Sequence, residues 1–388
     1  MSEARLRPRR PERARHPWIF AGEIAQLPDA PDGACVRVLD HRGRFFAVAY
    51  LNRRSKISLR VLSWRDEGVD AQFWHRRLQA AVGLRAPVPA DGGRRIVNAE
   101  GDGVPGLIVD WYAGFVVIQI STLGIDTARA DIVAALEDLL APRGIYERSD
   151  VPERSLEGLA PQIGVLAGAP PPELVEIVEE PARLLVDVAH GQKTGLFLDQ
   201  RLNRAAAARY AAGRRVLNCF AYSGGFGVHA CLAGANEVVN VDISPEACEL
   251  AQRNFEHNGC TNASFVEANA FDWLRQASDG DEIFGMVILD PPSFARGRGA
   301  LEGALRGYKE INLRALKLLR PGGILVTCSC SRPVTRRLFG EVIADAAADA
   351  RVELQLLEDR ALPPDHPILM SAAETAYLKC LIVQVAVE

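Results

Sequence analysis

Two thiols stand two positions apart in the stretch PGGILVTCSCS, Pro321 to Ser331, where a short apolar run reads as a buried strand. Side chains alternate along a strand, so Cys328 and Cys330 share a face, with Cys330 nearer the carboxyl end. In an open α/β sheet that end borders the ligand crevice. A thiolate there can add to an electron-poor carbon and later leave, which is covalent catalysis. Free cysteines otherwise behave as small core hydrophobes, and that alternative stays open for both. A carboxylate stands in a comparable place. The run ILDPPSF puts Asp290 at the end of an apolar stretch, and Pro291 and Pro292 stop further strand pairing. A rigid Asp-Pro-Pro can fix an acid and a carbonyl against a planar base.

A third group of residues reads as a nucleoside site. NCFAYSGGFG, Asn218 to Gly227, lies between an expected strand and an expected helix, and Gly224 and Gly225 admit a ligand close to the backbone. Asp242 ends the next strand, VVNVD, and its two acceptor oxygens suit two ribose hydroxyls. The ligand is then NAD or S-adenosylmethionine; the structural alternative is a plain turn and a helix-capping Asp. Asp-Pro-Pro favours the methyl donor, because a dehydrogenase has no evident use for it. HGQKTG is not a P-loop, since Gln192 precedes Lys193 and the upstream glycine spacing is absent.

The elements that must position these residues follow from periodicity. After about Ala182, strands and helices alternate, which predicts βαβ units and a mostly parallel sheet with helices on both faces. One helix is well marked, with Ser244 as N-cap, Pro245 at the first helical position and Gly259 just past its end. The last strand, AYLKCLIVQVAV, follows a long irregular segment and is expected to return antiparallel at the sheet edge. Residues 1–70 read as short strands (ACVRVLD, FFAVAYL, KISLRVLSW) with DG and RG turns, hence a small β-barrel. Residues 71–181 form a central α+β unit: helix AQFWHRRLQAAVGL, a hairpin through LIVDWYAGFVVIQIS, helix TARADIVAALEDLLA, and a strand after the three prolines of AGAPPPELVEIVEE. The third domain is 182–388.

Composition narrows the function classes. A chain of 388 residues with 48% hydrophobic and 24% charged residues has enough apolar material for two or three globular domains. No run approaches the roughly 18 apolar residues of a membrane helix. The basic arm MSEARLRPRRPERARHPW has no apolar segment behind it, so a secretory signal is not expected, and its prolines and early acids argue against a transit helix. The eight cysteines are scattered without paired C-x-x-C spacing, which predicts no metal site and reduced thiols in the cytoplasm. Net charge is −4, yet residues 1–60 hold thirteen Lys and Arg against six Asp and Glu. That excess is either an electrostatic footprint for phosphate or a solvated face.

Taken together, LNCFAYSGGFGVHA, VNVDIS, LDPPSF and TCSCS, preceded by GQKTGLFLDQR, resemble the ribosomal RNA large subunit methyltransferase I family. These are S-adenosylmethionine-dependent enzymes that form 5-methylcytosine in 23S ribosomal RNA. RHPWIFAGEI and YLNRRSKISLRVL are similar to that family's N-terminal PUA domain, an RNA-binding β-barrel. AEGDGVPGLIVDWY and IYERSDVPERSLEGL are similar to its central domain, so nearly the whole chain is covered. The resemblance implies a Rossmann-like class I methyltransferase domain behind a PUA-like barrel and a central α+β domain. The implied cofactor is S-adenosyl-L-methionine. The implied partner is 23S ribosomal RNA, free or partly assembled, with no membrane and with a homodimer as one possible assembly.

It also implies roles. Cys330 attacks C6 of cytosine, C5 takes the methyl group, and loss of the C5 proton expels the thiolate. Asp290 holds the base at N3 and stabilises charge during addition, and the target base must be unstacked into the pocket. The implied cofactor-binding set is Phe197, Gln200, Asn218, Phe220, Tyr222, Ser223, Gly224, Gly225, Asp242, Ile243, Asn269, Ala270 and Asp290. Within it, Asp242 binds the ribose, Phe220 to Gly225 wrap the methionine end, and Phe197 and Gln200 close over the cofactor. Asn269 stands where relatives often carry Asp near the adenine amino group. Two departures matter. Many RNA cytosine-5 methyltransferases have a second cysteine after Asp-Pro, where this chain has Ser293, and the base for the C5 proton is unassigned. Arg53 stands where a proline is expected after Asn52. Two other functions compete: a ribosome-assembly factor that only binds RNA, and a methyltransferase for another position in which the cysteine is idle.

Overall fold

A computed structural model describes residues 1–8, 15–295 and 297–387. Arg9, Arg10 and Arg13 of the basic arm lie outside the described residues. The chain divides into two compact units, residues 1–177 with 186–198 and 364–375, and residues 178–185 with 199–363 and 376–388.

The first unit holds two sheets. Strands Glu3–Leu6, Trp18–Ile19, Ile24–Gln26, Cys35–Leu39, Phe45–Leu51 and Leu59–Ser63 make a six-stranded mixed sheet. It closes on a core of Ala4, Leu6, Val36, Val38, Leu51 and Leu59. Several cations of this region are already paired: Arg37 with Glu3 and Asp66, Arg44 with Asp40, and Arg53 with Asp32. Arg53 also donates to the Pro28 and Ala30 carbonyls at 3.0 and 2.7 Å, so it pins the loop where a proline was expected. The second sheet has five strands, Gly93–Asn98, Leu107–Tyr112, Phe115–Ile120, Gly144–Ser149 and Gln162–Gly168, in that spatial order. Helices Ala71–Arg85 and Arg129–Leu140 bring Phe73, Leu78, Ile132 and Leu136 onto its core. The GQKTG segment is anchored here, Thr194 donating to Asp110 at 2.6 Å while Asp110 takes a two-point bond from Arg95.

The second unit is built on seven strands: β1 (Arg215–Cys219), β2 (Glu237–Asp242), β3 (Ala263–Glu267), β4 (Phe284–Leu289), β5 (Leu319–Ser329), β6 (Leu354–Arg360) and β7 (Lys379–Val385). Their order is β3-β2-β1-β4-β5-β7-β6. β3 through β5 run parallel, while β7 is antiparallel to both β5 and β6. The expectation that the last strand lies at the edge is corrected: β7 sits inside the sheet, and the edge is β6. The stretch read as irregular contains β6, whose outward Leu356 and Leu357 break the alternation that marks a strand. β7 is buried almost throughout, as an inner strand must be.

Helices α1 (Arg201–Ala208), α2 (Gly225–Leu232), α3 (Pro245–His257), α4 (Ala270–Ser278), α5 (Leu301–Lys317) and α6 (Arg336–Ala350) complete the unit. Phe284, Leu289, Tyr308, Leu316, Phe339 and Ile343 belong to one core cluster of this unit. α3 starts as its residues dictate, with Ser244 accepting from the Ala247 N–H at 3.2 Å and Pro245 at the first position. Reduced thiols were expected throughout, yet Cys231 and Cys260 are joined as a disulfide across 29 residues. Nothing in their spacing announces that the end of α2 meets the loop after α3.

Within α2, Gly227 leaves no room for a side chain. A Cβ on Gly227 would lie 2.5 Å from Asn240 Oδ1 and 2.9 Å from the Phe255 ring, both in fully packed surroundings. Gly227→Ala is therefore expected to cost about 1–3 kcal/mol of stability by overpacking, read as a lower midpoint in urea with unchanged slope. An unchanged midpoint would mean that α2 shifts freely.

Candidate active site

Strand register brings the singled-out residues to one edge of the second unit. Cys219 of β1 pairs with Val241 of β2 and Leu289 of β4, and Leu289 pairs with Thr327 of β5. Phe220, Asp242 and Asp290 therefore leave their strands at nearly one level, and Cys330 follows three residues beyond Thr327. This is the carboxyl edge, where α/β sheets bind ligands.

The turn after β1 is built from left-handed residues. Phe220, Tyr222 and Gly224 have φ of 59°, 47° and 75°. Only Gly224 does so without steric cost, so the other two are strained residues at a candidate site. The turn is held from below. Arg204, fully buried, gives both Nε and Nη2 to Glu179 at 2.6 Å, and a Cβ on Gly225 would come within 3.0 Å of its Cδ. Burial pushes the Glu179 carboxyl up, but Arg204 and His229 draw it down to about 2. Ser223, also buried, gives its carbonyl to Asn254 of α3 at 2.9 Å.

Asp242 receives one backbone N–H on each oxygen, from Tyr222 at 2.8 Å and Ser244 at 3.0 Å. Each oxygen keeps a lone pair, which is the donor-matching arrangement for a ribose diol. Ile243 beside it is 66% exposed, an apolar face free for a base. These residues fit a nucleoside cofactor. Asn269 caps α4, accepting from the Phe271 N–H at 2.9 Å, and Ala270 is buried at the first helical position. Asn218 is buried a layer below the edge, its amide on Asn240 at 3.0 Å. Phe197 belongs to the other unit, where Lys193 stands 4.6 Å over its ring.

Gln200 stands in a chain of side-chain bonds. It is buried and donates to Asp290 Oδ1 at 2.7 Å, while its own oxygen accepts from Asn203 at 2.6 Å. Arg360 of β6 then donates to Asn203 Oδ1 at 3.0 Å. This chain of bonds fixes the orientation of the Asp290 carboxylate.

The TCSCS segment is asymmetric. Thr327, Cys328, Ser329 and Ser331 are all buried, and Cys330 alone is partly exposed. Cys328 faces Cys380 across β5 and β7; its bond to that thiol and its burial push it well up, so it stays protonated. Cys330 lies at 4.0 Å from the Pro291 carbonyl oxygen. Ser331 is a hub: its hydroxyl lies 2.9 Å from Tyr308 and 3.2 Å from Ser293, and it accepts from the Ala295 N–H at 3.2 Å. Its carbonyl accepts from Lys379 at 2.8 Å. Sequence reasoning missed Lys379, Tyr308 and Ser331. The one signal was Lys379 itself, a lone cation at the head of an apolar inner strand.

Among the described residues no cluster of metal-ligating side chains is present, and no helix is long and apolar enough to cross a membrane. Comparison with known proteins shows the family. The model for S-adenosylmethionine-dependent methyltransferases matches residues 161–384, and that for a PUA-like domain matches residues 7–64. The chain is 42% identical to the ribosomal RNA large subunit methyltransferase I of Klebsiella pneumoniae, over 94% of this chain and 93% of that one. It is 44% identical to the Aeromonas salmonicida protein of the same name, over 95% of each. A putative methyltransferase solved in complex with SAH has the same fold, with a TM-score of 0.86 over 99% of this chain and all of that one at 24% identity. S-adenosylmethionine is thus the cofactor, and the chain belongs to the ribosomal RNA large subunit methyltransferase I family.

Proposed function

We propose that this protein methylates C5 of cytosine in 23S ribosomal RNA, in the cytoplasm, through a covalent adduct on Cys330. The observation that carries the reading is the segment 327–331, in which only the sulfur-bearing Cys330 reaches partial exposure, beside an oriented Asp290. Residues 1–70 serve as the RNA-binding barrel, 71–181 as the central domain and 182–388 as the catalytic domain. The names of the relatives support ribosomal RNA as substrate, and the PUA-like match and the basic excess of residues 1–60 support RNA binding.

Bound S-adenosylmethionine supplies an electrophilic methyl group. Cys330 Sγ forms a bond to C6 of an unstacked cytosine, and the C5–C6 π electrons move to C5. Asp290, held by Gln200, positions the base at N3, and a proton shared between its carboxyl group and N3 offsets the negative charge that builds on the ring. C5 takes the methyl group as the methyl–sulfur bond breaks, the sulfur keeping the electron pair in neutral S-adenosylhomocysteine. The C5 proton then leaves to a base, its bonding pair re-forms the C5–C6 double bond, and the Cys330–C6 bond breaks to release the thiolate. Asp242 holds the ribose, and Phe220 to Gly225 shape the methionine end.

Asp242→Ala is expected to weaken S-adenosylmethionine binding about 10- to 100-fold, the loss of charge-assisted bonds to the ribose. Titration calorimetry reads it, and an unchanged Kd would remove Asp242 from the site. The reading as a whole is tested with ribosomal RNA stripped of protein and labelled methyl donor, followed by nucleoside mass analysis. Label in 5-methylcytidine at one position supports it. Label in any other nucleoside, or RNA binding that falls steeply with salt but no transfer, replaces it with one of the two competing functions.

A further inference from the structure

The Asp290 carboxylate ends a chain of side chains whose direction is set from its far end. Arg360 lies on β6, the edge strand, and its guanidinium has donors only. Its Nε meets Asn203 Oδ1 at 3.0 Å, so Asn203 must turn its oxygen toward β6 and its Nδ2 toward Gln200 Oε1, at 2.6 Å. Gln200 then meets Asp290 Oδ1 with its Nε2, at 2.7 Å. Neither amide can be reversed, alone or together with the other, without setting two donors or two acceptors face to face. Asn203 and Gln200 are 1% and 2% exposed, so water does not relieve such a clash. The Cys328 thiol also meets Gln200, and as a weak donor and weak acceptor it suits either orientation of the amide. Gln200 is the N-cap residue of α1, yet its side chain bonds no helical N–H. Arg360 is itself held, with Nη1 on Glu358 at 2.7 Å and Nη2 on the Leu202 carbonyl at 3.0 Å.

We infer that Asn203 and Arg360 are positioning residues for methyl transfer: through Gln200 they present a donor, never an acceptor, to Asp290 and so hold its carboxyl group against the target base. This rests on Asp290 as the group that holds the base. Asn203 and Arg360 stand one and two side chains behind Gln200 and act only through it. A purely structural role would have the same bonds tie β6 to α1 and do nothing more. The two roles part when size and the Arg360 bond are kept while the donor to Gln200 is removed. Asn203→Asp does this. The new carboxylate still accepts from Arg360, now as a charge pair, but Gln200 faces a carboxylate on each side and cannot turn Nε2 to both.

The test is single-turnover methyl transfer to stripped large-subunit ribosomal RNA at saturating S-adenosylmethionine, with Asp290→Asn run alongside. Asn203→Asp is expected to transfer about tenfold more slowly, the loss of a bond to a charged acceptor. Its calorimetric Kd for S-adenosylmethionine stays within about threefold of wild type, and its midpoint in urea is not lowered. A tie that is only structural leaves the rate of this variant at the wild-type value. Arg360→Met keeps an unbranched side chain and removes every donor, which frees Asn203 to turn; about threefold slower transfer at unchanged Kd is expected. Arg360 is partly exposed on the edge strand, so this variant carries the test if Asn203→Asp does not fold. Wild-type rates in the folded variants, with Asp290→Asn slow, overturn the inference and leave Asp290 in its role. A fully active Asp290→Asn removes Asp290 from the chemistry, and the two positioning residues with it.

Discussion

Cys330→Ala is expected to lower methyl transfer on the order of 10³-fold or more, with S-adenosylmethionine affinity changed by less than about threefold. The asymmetry follows from geometry. Cys330 lies on the β5 extension beside Pro291, whereas Asp242, the proposed ribose contact, stands three strands away in the order β2-β1-β4-β5. Cys330→Ser separates nucleophilicity from size, because the hydroxyl keeps the shape but is not ionised at neutral pH. Equal loss in both variants identifies the thiolate as the agent. The same change at Cys328 removes a sulfur that is buried and paired with Cys380, so it is expected to affect stability and not the chemical step. Single-turnover assays on stripped ribosomal RNA give the rates, and full activity in Cys330→Ala would leave an oriented acid without its nucleophile.

Asp290→Asn is the second large effect, about 10² to 10³-fold in kcat/KM. The substitution is nearly isosteric and can still meet Gln200, so the fold around the Asp-Pro-Pro turn stays intact. What it loses is the charge-stabilising carboxyl group at the base. Gln200→Leu should reproduce part of the loss, since it leaves the carboxylate in place but without the bond that orients it. Unchanged kcat/KM in Asp290→Asn, with the protein folded, would remove Asp290 from the chemistry and make its bond to Gln200 structural.

Much of this arrangement was legible in the residues. Glycine after a strand, an acid closing the next one, and two prolines after a third each break a periodic pattern at a carboxyl end, and such breaks survive in a single sequence. The capped start of α3 at Ser244 and Pro245 was legible for the same local reason. What was not legible depends on pairing across the sheet. The inner position of β7 is set by its partners β5 and β6, and β6 hides because its outward leucines blur the alternation. The bond from the Gln200 amide to Asp290 spans 90 residues, and no local pattern records it. Lys379 and Ser331 meet over 48 residues in the same way. The Asn218 amide bonds Asn240 across β1 and β2, a further contact of this kind.

The central claim is that Cys330 bonds to the substrate base, and it can be trapped. Large-subunit ribosomal RNA carrying 5-fluorocytosine has no C5 proton to lose after methylation, so the adduct cannot collapse. Incubation with S-adenosylmethionine, digestion and mass spectrometry should then recover one nucleotide linked to the peptide containing Cys330. Nucleotide on another cysteine, or methylated RNA with no linked peptide at all, would contradict the account.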